Sequence, residues 1–194
     1  MNIILASKSG VRKMILEKNN INFKVVPSNV DEDQAKESLE SAGADSLLIS
    51  KNLAELKSIK VSKSYPETLV LGADSVVSLN DKIINKPKDR DEAFNILKKL
   101  NNTVHYLISS VCISVNGAMI WNFSDKSELK MKNLNDSQMQ NYLSKIQTDT
   151  LTNYGVYQIE AKGLELFEYI KGDKNSIMGL PIDQIKEFIK RYKK

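Results

Sequence analysis

Cysteine and histidine are almost missing from the 194-residue chain, which has one of each, Cys112 and His105. A lone cysteine cannot form an internal disulfide, and one histidine beside it leaves no Cys/His cluster for zinc. Any metal is therefore expected to be a hard cation held by oxygen ligands. Glycine and proline are scarce, at 8 and 4 residues, while hydrophobic residues reach 41% and charged residues 27%, which argues against disorder and collagen-like architecture. No apolar run reaches the length of a membrane span, and the opening residues 1–6 lack the basic n-region of a signal peptide. Charge of one sign is also lacking: 28 basic against 24 acidic residues leave +4, too little to argue for nucleic-acid binding. Neither G-x-x-x-x-G-K-[ST] nor G-x-G-x-x-G occurs, which disfavours a Walker NTPase or a Rossmann dehydrogenase. The expectation is a soluble, cytoplasmic protein whose length is enough to bury a core without disulfides or a structural metal.

What the chain does contain is an alternation of strand and helix patterns. Residues 2–6 form a short apolar run, as expected of a strand buried on both faces. Ser7-Lys8-Ser9-Gly10 follows, and Val11, Met14 and Ile15 begin a helical i, i+3, i+4 pattern. Residues 21–26 read as a second strand ended by Pro27 and Ser28, and Asp31-Glu32-Asp33 as an acidic loop or helix start. A long helix is expected over 45–64, with Ile49, Leu53 and Leu56 on one face and Tyr65-Pro66 as its stop. Residues 68–79 are apolar and β-branched but interrupted by Gly72-Ala73-Asp74-Ser75, after which Asn80-Asp81 reads as a hairpin turn into 82–85. Lys86-Pro87 breaks that strand, and Ala93, Ile96, Leu97 and Leu100 give the clearest helical spacing in the chain. Two strands, 104–115 and 118–131, flank Asn116-Gly117, a strong hairpin signal. A helix over 136–145, a polar glycine-containing loop, a strand over 164–170 and a final helix complete the reading. That last helix has Pro181 in its first turn and Ile182, Ile185, Phe188, Ile189 and Tyr192 as its stripe. The fold class is α/β with a mixed sheet, without internal repeats or a low-complexity linker.

Two places can carry chemistry. A strand entering a helix through Ser7-Lys8-Ser9-Gly10-Val11-Arg12 leaves free backbone N–H groups, a natural seat for phosphate. Ser7 and Ser9 can add hydroxyls there, and Arg12 a planar fork for phosphate oxygens. The plainer reading is that Ser9 caps a helix and Arg12 is solvated. Asp74 lies within an apolar strand, where a charge is expensive unless paired or bound to metal, and the small Gly72 and Ala73 would let a ligand come close. A carboxylate at this point can hold Mg²⁺ or Mn²⁺, or act as a base toward water. Lys57 is unremarkable by itself; Lys86 gains interest because Pro87 fixes the chain after it. Glu32 reads by default as a solvated acid, and His105, with no Ser/Asp arrangement around it, supports no hydrolase triad.

Taken in order, these residues resemble the Maf family of nucleoside triphosphate pyrophosphatases, also described as septum-formation inhibitors. Leu5-Ala-Ser-Lys-Ser-Gly-Val-Arg12 looks like that family's LASxSPRR motif. Val30-Asp-Glu32, Leu53-Ala-Glu-Leu-Lys57, Leu71-Gly-Ala-Asp-Ser75 and Lys86-Pro87 follow in register. Then come His105 with Ser109-Ser-Val111, Gly155-Val-Tyr-Gln-Ile-Glu160, and Gly172-Asp with Met178-Gly-Leu-Pro181. The resemblance implies a single Maf-like domain over 1–194, elongated, with two lobes around a central cleft, similar to inosine triphosphatases. It implies hydrolysis of a nucleoside triphosphate to monophosphate and pyrophosphate, assisted by a divalent metal, Mg²⁺ or Mn²⁺. Asp74 would be the proton acceptor; Ser7, Arg12, Lys57 and Lys86 would bind the triphosphate; Glu32, with Asp74, would hold metal.

Within that resemblance, Gly10 replaces the motif proline, and Val11, Ser75 and Glu160 fall where substrate branches of the family differ. A carboxylate at Glu160 suits guanine N1–H and N2–H donors and the positive ring of 7-methyl-GTP, whereas Ser75 leans toward the UTP and dTTP branch. The first functional reading is an enzyme that clears modified nucleotides. The alternative is a nucleotide-binding regulator of cell division with little turnover. Expected partners are a nucleoside triphosphate and a second copy of the chain as a homodimer, with no stable nucleic-acid complex and no membrane.

Overall fold

The computed structural model describes residues 3–159 and 162–192. Strand β1 (Ile3–Leu5) is apolar and buried throughout, and pairs in parallel with β2 (Phe23–Val25) on one side and β3 (Val70–Leu79) on the other. Between β1 and β2 runs α1 (Gly10–Lys18); between β2 and β3 come α2 (Glu32–Ser41) and α3 (Ser46–Ser62). Strand β4 (Lys82–Ile84) pairs antiparallel with β3 across Asn80 and Asp81, both at positive φ (51° and 60°), as a two-residue hairpin with the strands' twist requires. After α4 (Arg90–Leu100), β5 (Val104–Val115) and β6 (Ala118–Met131) are joined by Asn116-Gly117, again at positive φ. Helices α5 (Asp136–Ser144) and α6 (Thr148–Tyr154) and a 3₁₀ turn, Lys162–Leu166, lead to β7 (Phe167–Lys171), antiparallel to β6. The short α7 (Lys174–Ile177) precedes α8 (Ile182–Tyr192). The seven strands form one mixed sheet in the order β2-β1-β3-β5-β6-β7, with β4 on β3. None of the helices among the described residues is long and apolar enough to cross a membrane.

Three local differences from the sequence reading, and one choice it left open, have physical causes. Strand β3 is not interrupted at Gly72-Ala73-Asp74-Ser75 but runs through it. A Cβ on Gly72 would overlap the Ala54 carbonyl oxygen and stand 2.7 Å from the Ser58 amide nitrogen, so the small residue admits helix α3 rather than a ligand. Helix α3 presents to that contact a row spaced by four, Ser46, Ser50, Ala54, Ser58 and Ser62, all buried, while Leu56 is exposed. Serines count as polar in a periodicity reading, yet here their hydroxyls are bonded: Ser58 Oγ to Ser114 Oγ at 2.8 Å, and Ser62 Oγ accepting the Gly117 N–H at 3.0 Å. The acidic stretch at 31–33 opens a full helix, α2, capped by the Asp31 carboxylate on the Gln34 N–H, although none of its residues is buried. The polar loop before β7 holds α6. The Arg90 guanidinium, bonded to the Leu143 and Ile146 carbonyls and to Thr148 Oγ1, anchors the turn before α6 across more than 50 residues.

The chain divides into two compact units. The first is Met1–Ser75, Ile108–Lys126 and Asp173–Lys194, and the second is Val76–Leu107 with Ser127–Gly172. The first has a core built on Leu5, Ile15, Leu16, Leu71, Ile113 and Ile185, and the second one on Leu97, Leu100, Leu129, Met131, Met139 and Leu166. In the second core lies His105, wholly buried, with Nε2 3.0 Å from the Tyr157 hydroxyl and Nδ1 without a partner. Burial pushes this imidazole down to about 4. The unfolded chain, near the ordinary 6.5, therefore binds more protons than the folded one between those values. Stability from a neutral His105 is fully present above about pH 6.5 and is lost as the pH falls toward about 4, by about 1 kcal/mol at about pH 5.5. It is the only histidine, so His105→Gln should abolish most of this slope. Urea unfolding midpoints at pH 7.5 and 5.5 check it, and an equal drop in both proteins would place the acid sensitivity elsewhere.

Candidate active site

Asp74 is 4% exposed in the middle of β3. Its Oδ1 accepts a hydrogen bond from Lys57 Nζ at 2.8 Å, while Oδ2, also buried, has no partner. Lys57 comes from α3, on the row Ile49, Leu53, Lys57, Val61, where periodicity calls for an apolar side chain. The same ammonium lies 3.0 Å from Glu32 Oε1 at the start of α2. One buried cation thus stands between two carboxylates, leaving a formal charge of −1. Burying such ions costs several kcal/mol each in desolvation, so packing alone gives no reason to keep them. The buried carboxylate oxygen that is left without a partner calls for an occupant, such as a water or a cation.

Arg12 is neither solvated nor extended toward solvent. Its Nε donates to the Gly179 carbonyl at 3.0 Å, Nη1 to the Ala73 carbonyl at 3.0 Å and Ser7 Oγ at 3.3 Å, and Nη2 to Ser75 Oγ at 3.1 Å. Four of its five N–H donors are taken, leaving one on Nη2 for a ligand. Burial lowers the guanidinium pKa, and the negative charges of Asp74 and Glu32 oppose that, so the cation persists. Ser9 does cap α1, its Oγ accepting the Arg12 N–H at 3.3 Å, and Ser7 Oγ accepts from the Ser9 N–H at 3.2 Å. Gly179 sits at φ +94°, and a Cβ there would press within 3.1 Å of Ser75 Oγ and 3.5 Å of the guanidinium.

Ser7, Arg12, Glu32, Lys57, Asp74 and Ser75 therefore all belong to the first unit and form two bonded groups, Arg12 with Ser7 and Ser75, and Lys57 with Glu32 and Asp74, that meet at the neighbours Asp74 and Ser75. Val11 is half-buried against that unit's core. Lys86 is exposed after β4, in the second unit, next to the buried Pro87. Glu160 lies outside the described residues. Groups to which the sequence reading gave no such part join in: the Ala73 carbonyl, Gly179, and Ser109, whose buried Oγ is 2.9 Å from Ser75 Oγ. A glycine before Leu-Pro marks Gly179 in the sequence, but no local pattern marks the other two.

Among the described residues no group of three or more His, Cys, Asp or Glu side chains comes together, so a metal would rest on Glu32 and Asp74. The donor set fits Mg²⁺ or Mn²⁺, which commonly take one or two carboxylates and complete their shell with substrate phosphates and water. The unpartnered Asp74 Oδ2 leaves that carboxylate with an oxygen free for a cation or a water.

The family model described as Maf-like protein matches residues 2–192. A protein named nucleoside triphosphate pyrophosphatase in Pelagibacter ubique is 58% identical over 188 residues, 97% of this chain and 96% of the relative. One named 7-methyl-GTP pyrophosphatase in Rhizobium etli is 38% identical over 93% of this chain and 90% of its own. Among solved structures, a nucleoside-triphosphatase / dITP/XTP pyrophosphatase from Mycobacterium abscessus aligns over 98% of this chain and 94% of its own, with TM-score 0.48 and 11% identity.

Proposed function

The chain belongs to the Maf-like protein family, and from that premise we propose that it is a hydrolase of acid anhydrides that converts a nucleoside triphosphate to the monophosphate and pyrophosphate. The observation that carries this reading is the buried Asp74 carboxylate, held through Oδ1 by Lys57 and without a partner at Oδ2. Asp74 Oδ2 accepts a proton from a water molecule, whose oxygen forms the new bond to phosphorus as the α–β anhydride bond breaks and pyrophosphate leaves. In the free protein Lys57 holds the Asp74 carboxylate in a defined orientation, so the base is placed before substrate arrives. Arg12, anchored on three sides, offers its remaining N–H and its charge to the phosphates without reorganising. Lys86 adds a further cation for the phosphate chain. A divalent cation held by Glu32 and Asp74 would neutralise phosphate charge and ease departure of pyrophosphate. A regulator that merely bound nucleotide would have no use for an unpartnered buried carboxylate.

For the base, the reading is a purine, 7-methyl-GTP or a related modified nucleotide, removed from the cytoplasmic pool. A carboxylate at Glu160 accepts from guanine N1–H and N2–H, but would oppose a pyrimidine O4. The name of the Rhizobium relative supports this direction. Pyrophosphate release from 7-methyl-GTP, GTP, UTP and dTTP, with Mg²⁺ or Mn²⁺, tests both levels. The wild type should favour the guanine nucleotides, and Glu160→Gln should narrow that preference by at least about tenfold. No release from any nucleotide would overturn the enzyme reading; release with UTP or dTTP preferred would overturn only the base assignment.

A further inference from the structure

Lys57 is the one group in the site whose position conflicts with a simple division of labour. As a phosphate ligand it should face the substrate, yet two of its three N–H donors are committed to Asp74 Oδ1 at 2.8 Å and Glu32 Oε1 at 3.0 Å. Its side chain is 7% exposed. The ammonium occupies the space between the two carboxylates that would also hold a metal. An ion bound to either oxygen at about 2.1 Å would stand next to that ammonium, +2 against +1. The two cations are therefore rivals. Two structural facts make an exchange possible. A lysine is a point charge on a four-carbon stem and can turn away, as an arginine fork held by several partners cannot. Glu32 is carried by α2, which has no buried residue and so can adjust without disturbing a core.

We propose that Lys57 is a counter-cation that competes with the divalent metal for the Glu32–Asp74 pair, and that metal binding turns its ammonium off the carboxylates toward the triphosphate. The last clause rests on the pyrophosphatase reading; the competition itself does not. Lys57 then acts as a positioning residue before the metal arrives and as a phosphate ligand afterwards. The arrangement would favour metal entering together with nucleotide, because the phosphates give the displaced ammonium a new partner.

The test is Mn²⁺ binding by the full chain without nucleotide, read from the electron paramagnetic resonance signal of free Mn²⁺. Lys57→Met removes the rival charge and should bind Mn²⁺ at least about tenfold more tightly than the wild type. Lys57→Met with Asp74→Asn should lose that gain. Affinity in Lys57→Met equal to or below the wild type would overturn the proposal, because it would make Lys57 a support for the metal. Should Lys57→Met fail to fold by circular dichroism, the wild-type protein decides. Acetylation of Lys57 by acetic anhydride, mapped by mass spectrometry, should rise several-fold on adding saturating Mn²⁺, and unchanged or reduced labelling would overturn the competition. None of these readouts depends on turnover, so an inactive protein that shows the competition would count against the pyrophosphatase reading alone.

Discussion

Asp74→Asn is expected to lower turnover by at least about 10²-fold while leaving a folded protein, the range associated with losing a positioned general base. The amide keeps an oxygen for the Lys57 bond, and Lys57 retains Glu32 at 3.0 Å, so no buried charge is abandoned. What disappears is the basic lone pair on the buried, unpartnered oxygen. Steady-state pyrophosphate release together with thermal unfolding separates the two effects. A folded Asp74→Asn protein with turnover near that of the wild type would remove Asp74 from the chemistry.

The second large effect is on stability. Gly72→Ala would set a methyl group against the backbone of α3, overlapping the Ala54 carbonyl and crowding the Ser58 amide. Neither atom is the end of a flexible side chain, so relief requires β3 and α3 to separate. Overpacking of this kind costs about 3 kcal/mol or more when backbone must move. The same separation would draw Lys57 away from Asp74, since those two residues sit on the elements being pushed apart. A urea unfolding series should show a clear fall in midpoint for Gly72→Ala. Stability within about 0.5 kcal/mol of the wild type would mean that the helix and strand do not approach as closely as described.

Most of the strands and long helices were legible because their apolar spacing matched the burial they achieve; α4, with Ala93, Ile96, Leu97 and Leu100 all buried, is the clearest case. The hairpins at Asn80-Asp81 and Asn116-Gly117 were legible because few residues tolerate positive φ. Helix α6 escaped because its anchor is Arg90, far away in sequence. In the site, Asp74 announced itself as a charge inside an apolar strand. The role of Gly72 did not, because a glycine beside a possible site reads equally as room for a ligand or room for a helix. Lys57 was hidden for a different reason: in a lysine-rich chain only its place on the buried row Ile49, Leu53, Lys57, Val61 of α3 distinguishes it. Family motifs, and not periodicity, singled out Ser7, Glu32, Lys57 and Lys86, and of these Lys86 lies in the other unit. The anchoring of Arg12 by main-chain carbonyls has no side-chain signature at all.

That anchoring also dictates when the site can be finished. The bond from Arg12 to the Gly179 carbonyl spans 167 residues, roughly ten to thirty seconds of synthesis on a ribosome. The unit that holds Asp74, Lys57 and Arg12 is assembled from three stretches, the last beginning at Asp173, whereas the other unit has its final residue at Gly172. The unit begun first is therefore completed last. A growing chain carries its carboxylates and cations early, but Arg12 stays without its partner until Gly179 has emerged. Until then the nascent protein has the ingredients of the site without its geometry.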